Sequence, residues 1–216
     1  VHLISSCRGG QLVKMVVRRD GKEEGTRVNV VLEEKTYFHT IKEEGGWNYY
    51  FMGVATSFVT AATLNVFLDV KNDIGTKVPD ESLSAAFKVV EGFRNNFNNE
   101  EGYVYRTGPK NPVMEDVRGH IGRISICELA CVKGTDNKVK HEKTDRSHDD
   151  LAKMLKTFLK YRVELDRMRN YKVTHHRQFW MNAAYYWMYG HYHSTLALNY
   201  LKGHEELKKE GRETIL

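Results

Sequence analysis

Two kinds of apolar pattern alternate along this chain. Ser57 to Val70 reads SFVTAATLNVFLDV, apolar or small on nearly every side, as in a helix enclosed by protein. It predicts an inner helix. After the turn-like Lys71 to Gly75, Pro79-Asp80-Glu81 places a proline and two acids where a first helical turn favours them, and Leu83, Ala86, Phe87, Val90 and Phe93 recur at spacings of three and four. That is an amphipathic outer helix. The pair then repeats. Gly119 to Val132 carries Ile121, Ile124, Ile126, Leu129 and Ala130 as a second inner helix, and the polar stretch 134–147 reads as a linker. Ser147 and Asp150 form a capping-box arrangement ahead of Leu151, Met154, Leu155, Phe158 and Leu165, a second outer helix. His191 to Leu201, entered through Gly190 and closed by Lys202-Gly203, is the third inner candidate. Upstream, Arg27 to Ile41 reads as a further outer helix, although Val28 to Leu32 fits a strand as well.

Aromatic loops precede the inner segments: Gly46-Trp47-Asn48-Tyr49, then Gly102-Tyr103-Val104-Tyr105, then Phe179-Trp180 and Tyr185 to Tyr189. Fixed-order repetition of aromatic loop, buried helix and amphipathic helix points to hairpins stacked side by side, because one hairpin cannot cover its own apolar face. The predicted fold class is all-α, with 1–216 as a single helical-repeat domain.

Composition supports that reading. The 216 residues are 41% hydrophobic and 28% charged, the values of a globular chain, and no run of about 18 apolar residues offers a membrane span. Only 3 prolines leave long stretches open to helix propagation. The net charge of +5 comes from basic residues interleaved with acids, which gives no phosphate-tracking stripe and argues against nucleic acid as a partner. Three cysteines cannot all pair, so a disulfide framework is not expected. The chain opens on Val1 without a signal-peptide pattern. This leaves the compartment open and suggests a processed or partial chain.

These residues resemble the α/α-toroid superfamily of terpene cyclases and protein prenyltransferase β-subunits, the prenyltransferase and squalene-cyclase-like repeat proteins. The carriers are Gly45-Gly46-Trp47, Ser57 to Ala62, Val78-Pro79-Asp80-Glu81, Gly102 to Tyr105, and Tyr189 to Leu198. The resemblance implies an array of inner and outer hairpins around a central cleft, and 216 residues are short for a closed ring of that type. Ile41 stands where the cyclase Gln-Trp motif has glutamine, and the Asp-rich motif that protonates polyenes is absent. His148-Asp149-Asp150 is the nearest acidic cluster and reads as a helix start.

The expected function is therefore binding of a small apolar ligand or a protein partner in an aromatic-lined cleft. The alternative is an isoprenoid-acting enzyme, a terpene cyclase or a prenyltransferase. Trp47, Tyr50, Tyr103, Arg123, Tyr189 and His193 are the candidate ligand contacts, since aromatic faces attract cations and cover apolar groups. Asp116, His120 and His191 are the candidate acids or bases. Protein prenyltransferases hold zinc through Asp, Cys and His; Cys127 and Cys131 with His191 and His193 could in principle converge, but buried cysteine more often packs as a small hydrophobe, and no metal or other cofactor is expected.

Overall fold

The computed structural model describes residues 55–105, 116–139, 145–171, 180 and 182–215, together with the backbone of four strands at 12–19, 22–31, 38–41 and 46–49. Of the inner segments, α1 (Ser57–Asp73) buries Phe58, Ala61, Leu64 and Leu68. Helix α3 (Ile121–Asp136) is buried at every position from Ile121 to Gly134, which is why its sequence shows no polar face. Helix α6 (Tyr185–Tyr200) buries Tyr186, Gly190, Ser194, Ala197 and Leu198.

Outer helices cover this row. Helix α2 (Asp80–Gly92) follows Pro79 at its N-cap and carries Asp80 and Glu81 in its first turn, where the helix dipole favours acids. Helix α4 (His148–Tyr161) has the expected capping box: the Ser147 hydroxyl accepts from the Asp150 N–H, and the Asp150 carboxylate accepts from the Ser147 N–H. A short turn, α5 (Val163–Asp166), follows. Helix α7 (Glu205–Ile215) buries Leu207 and Gly211.

Side-chain pairings set the directions. Gly122 meets Tyr186 and Gly190, Ser125 bonds Ser194, and Lys133 lies over Tyr200, so α3 and α6 run the same way. Asn65 donates to the Ile126 carbonyl and Lys133 pairs with Asp69, so α1 runs with them. By contrast, His148 stacks on Tyr200 while Phe158 reaches Gly190 and His191, which makes α4 antiparallel to α6. The result is two layers, parallel α1, α3 and α6 in one and α2, α4 and α7 in the other; α3 is enclosed, whereas α6, expected as an inner helix, leaves Met188, Tyr192 and Leu196 exposed along one face.

The core follows this layering. One cluster joins Phe58, Leu64 and Leu68 of α1, Leu83 and Phe87 of α2, and Ile124, Cys127 and Cys131 of α3. The other joins Leu129 and Val132 to Leu151, Leu155, Leu198 and Leu207. Each such fully buried Leu or Phe stabilises the fold by roughly 1.5–3 kcal/mol over an exposed one. Glycine sets the spacing at one contact: a Cβ on Gly190 would lie 3.2 Å from the Gly122 Cα, so α3 and α6 touch through backbone.

Several boundaries and one class of element differ from expectation. Helix α6 begins six residues before His191, and Gly190 lies inside it, because the contact with Gly122 needs a glycine within the helix rather than before it. Helix α3 starts at Ile121, after a 3-10 turn at Val117–Gly119. It runs on to Asp136, so Gly134 belongs to the helix and packs against Phe87 instead of opening a linker.

Of the two readings of Arg27 to Ile41, the described residues bear out the strand, at Val28 to Val31, and not the outer helix. Strand β2 (Lys22–Val31) pairs antiparallel with β1 (Leu12–Arg19), and β3 (Phe38–Ile41) pairs with β4 (Gly46–Tyr49). The physical reason is in the sequence: Thr26, Val28, Val30 and Val31 are β-branched, and Asp20-Gly21 lies between the paired Arg19 and Lys22, the dipeptide a two-residue hairpin favours. A third hairpin, β5 (Arg94–Phe97) with β6 (Glu100–Tyr103), turns at Asn98 and Asn99, both with positive φ. Asparagine tolerates that conformation, which matches the twist of the strands. The chain is thus mostly helical over its described residues, with three small hairpins that an all-α class leaves out.

Candidate functional site: an aromatic mouth

Because the inner helices are parallel, α1, α3 and α6 all start at one end. Three backbone contacts hold that end together. The Ser57 N–H donates to the Tyr105 carbonyl at 3.0 Å, the Asn182 amide donates to the Arg118 carbonyl at 2.8 Å, and His120 Nδ1 lies 2.9 Å from the Tyr103 carbonyl. Hairpin β5–β6 delivers the Tyr103 to Tyr105 segment to this point.

Phe58, in the first turn of α1, is the hub of the ring cluster that forms there. Its ring centroid is 5.6 Å from Tyr105, 5.7 Å from Tyr186 and 5.5 Å from Tyr189, the last two edge-on. The Tyr189 hydroxyl donates to the Phe58 carbonyl at 2.9 Å, so α6 reaches α1 across α3. His193 sits edge-on to Tyr189 at 4.2 Å. Burial pushes the Tyr185 and Tyr186 hydroxyls up in pKa and lowers the His193 imidazole to about 4, so these groups present neutral polar atoms near pH 7. A cleft of about 590 Å³ adjoins the cluster at Tyr185 and runs past Trp187, Met188, Arg169 and Tyr171. Its volume is within the range of small-molecule sites.

Arg123 brings charge to this end. Its guanidinium is 5% exposed and lies 5.7 Å from the Tyr186 ring and 6.0 Å from the Tyr105 ring. Nε donates to the Tyr103 carbonyl at 2.8 Å, and Nη2 is 2.8 Å from His120 Nδ1. A guanidinium can only donate. His120 Nδ1 thus lies between two partners, the Arg123 guanidinium and the Tyr103 carbonyl.

The remaining candidates fall in separate places. Tyr103 is fully buried away from the mouth, with its hydroxyl donating to Glu128 at 2.7 Å; it is a packing and hydrogen-bonding residue of the core. Asp116 caps the 3-10 turn through the Arg118 N–H and holds the Arg118 side chain at 2.6 and 2.8 Å. That guanidinium keeps the Asp116 carboxyl below the usual carboxylate range, and Arg118 itself stacks 3.8 Å over Trp180. His120 is buried and stacked on Phe97. His191 points to the outer layer, 2.7 Å from the Trp187 carbonyl and edge-on to Phe158. Trp47 and Tyr50 lie outside the residues whose side chains are described. Cys127 and Cys131 are free thiols buried on the α1 and α2 side of α3, away from His191 and His193. Among the described residues no group of three or more His, Cys, Asp or Glu is placed to hold a metal ion, and no helix is long and apolar enough to cross a membrane.

Of the expected contacts, the structure brings Arg123, Tyr189 and His193 to one end and joins them to Phe58, Tyr105, Tyr185 and Tyr186. Phe58 had no distinguishing signal beyond its place in the first turn of an inner helix. No family model, curated protein or solved structure matches this chain.

Proposed function

We propose that this chain is an α/α-toroid-like helical repeat protein, of the squalene-cyclase and prenyltransferase-like kind, that binds a small apolar ligand at the aromatic mouth. The observation that supports this reading is the meeting of Phe58, Tyr105, Tyr185, Tyr186 and Tyr189 where three parallel inner helices begin, beside an open cleft. Rings that only pack hairpin against hairpin have no need of that cleft. Tyr185 has one face toward Phe58 and borders the cleft as well, so a ligand there extends an existing aromatic cluster.

Titration with dodecanol, followed by intrinsic fluorescence, tests the reading. Saturable one-to-one binding that Tyr185→Ala weakens several-fold supports it. Dodecanol that fails to saturate, or a Tyr185→Ala variant that binds unchanged, refutes it. A co-purifying protein that dodecanol displaces from the same end identifies a partner segment as the occupant. The catalytic alternative needs a proton donor, and Asp116, held ionised by Arg118, is poorly suited to supply one. Turnover of prenyl diphosphates abolished by Asp116→Asn overturns that argument.

A further inference from the structure

Arg123 is a buried cation whose contacts are a carbonyl oxygen, an imidazole nitrogen and two aromatic faces. No carboxylate of the described residues is placed to form an ion pair with it, whereas Arg118, the neighbouring guanidinium, is paired with Asp116. A buried charge without a counter-ion is costly, and proteins ordinarily pair it. The surroundings sharpen the imbalance. The first turns of α1, α3 and α6 meet here, and each adds positive potential from its free N–H groups. A second buried polar group lies beside it: the Tyr186 hydroxyl, on a side chain 1% exposed, next to the Arg123 guanidinium and the Tyr185 hydroxyl.

Resting on the aromatic mouth being a binding site, we propose that its ligand is an apolar monocarboxylic acid. Its carboxylate pairs with the Arg123 guanidinium and accepts a hydrogen bond from the Tyr186 hydroxyl, and its apolar body lies against Tyr185 and along the cleft to Trp187 and Met188. A carboxylate fits the geometry, because a guanidinium presents parallel N–H donors matched to two oxygens. It also fits the charge. One unpaired guanidinium balances a single negative charge, and Arg118 is already neutralised by Asp116, so a diphosphate brings more negative charge than this end offsets.

Calorimetric titration of the full chain with dodecanoate, dodecanol and farnesyl diphosphate tests the proposal. Dodecanoate should bind at least tenfold more tightly than dodecanol, the order of effect of a charge-assisted hydrogen-bonded pair. Arg123→Gln should remove that advantage and leave dodecanol unchanged, and Tyr186→Phe should weaken dodecanoate several-fold with the ring in place. Far-UV circular dichroism checks both variants, and if Arg123→Gln does not fold, Tyr186→Phe decides. Dodecanol binding as tightly as dodecanoate overturns the carboxylate assignment while leaving the apolar site standing. Farnesyl diphosphate binding more tightly than dodecanoate overturns it in favour of a polyanionic head. Failure of all three probes overturns the binding site itself.

Discussion

Removing Arg146 should destabilise this protein more than removing the acid it neutralises. Glu128 lies in the middle of α3 with no exposed surface, and its two oxygens are taken by the Arg146 Nε at 2.6 Å and the Tyr103 hydroxyl at 2.7 Å. Arg146 also reaches Glu101 at 3.0 Å and Asp150 at 3.5 Å, so one guanidinium joins β6, α3 and the start of α4. Arg146→Met leaves the Glu128 carboxylate buried with a single tyrosine donor, and losing one member of a buried pair costs about 3–5 kcal/mol. Glu128→Gln leaves Arg146 with two half-exposed acids and keeps an oxygen for Tyr103, so its cost should be nearer 1–2 kcal/mol. The double variant should be more stable than Arg146→Met alone, because no charge is then stranded. Urea unfolding of the four proteins gives the cycle. In thermal melts Arg146→Met should lower the midpoint by about 6–20 °C for a chain of this length. A loss below about 1 kcal/mol for Arg146→Met, or a double variant less stable than that single one, refutes the reasoning.

Further outcomes can be checked on the same protein. Gly134→Ala places a Cβ 1.9 Å from the Phe87 ring and should cost about 1–3 kcal/mol, whereas Gly92→Ala meets nothing within 4 Å and should be neutral or stabilise by up to about 1 kcal/mol in urea unfolding. Burial lowers His193 to about 4, below its unfolded value of about 6.5, so the contribution of this group is complete above pH 6.5 and is lost as pH falls towards 4. His193→Phe should flatten the pH dependence of the melting temperature over that interval. Asp116 is lowered by its hydrogen bonds to Arg118, so its contribution is present above about pH 4 and lost on further acidification. Asp116→Asn should shrink the stability lost below pH 4. Burial raises both the Cys127 and the Cys131 thiol, so peptide mapping after maleimide treatment at pH 7 should find them modified only once urea unfolds the chain.

The helices were legible where local chemistry repeats. The enclosed pattern of Ser57 to Val70, the spacing of Leu83 to Val90 and the Ser147 capping box placed α1, α2 and α4 close to their observed bounds. Two glycines misled at helix ends. Gly190 and Gly134 look like breaks, yet each lies inside a helix because a neighbour, Gly122 or Phe87, occupies the space of its missing side chain. That neighbour is remote in the chain and invisible to periodicity. Helix α7 gives little periodic signal, since Leu207 and Gly211 are its only buried positions in a run of charges. At the mouth, the aromatic residues were recognisable as a set, but not which of them meet. Tyr103 is the last residue of β6 and Tyr105 lies beyond it, so strand alternation no longer holds the two to one face: one reaches Glu128 and the other Phe58. Arg123 was visible as a charge in an apolar helix, whereas its lack of an acid partner among the described residues is a fact of three dimensions.

The backbone contact between Gly122 and Gly190 also bears on how a ligand could enter. Helices that touch without intervening side chains have no rotamers to yield between them, so α3 and α6 should move together. Across the mouth, α1 is held to α6 by the hydrogen bond from Tyr189 to the Phe58 carbonyl and by ring contacts that can slide. Because Asn65 and Asp69 also tie α1 to α3, breathing at this end should be confined to the first turn of α1, where the Tyr189 hydroxyl holds the Phe58 carbonyl.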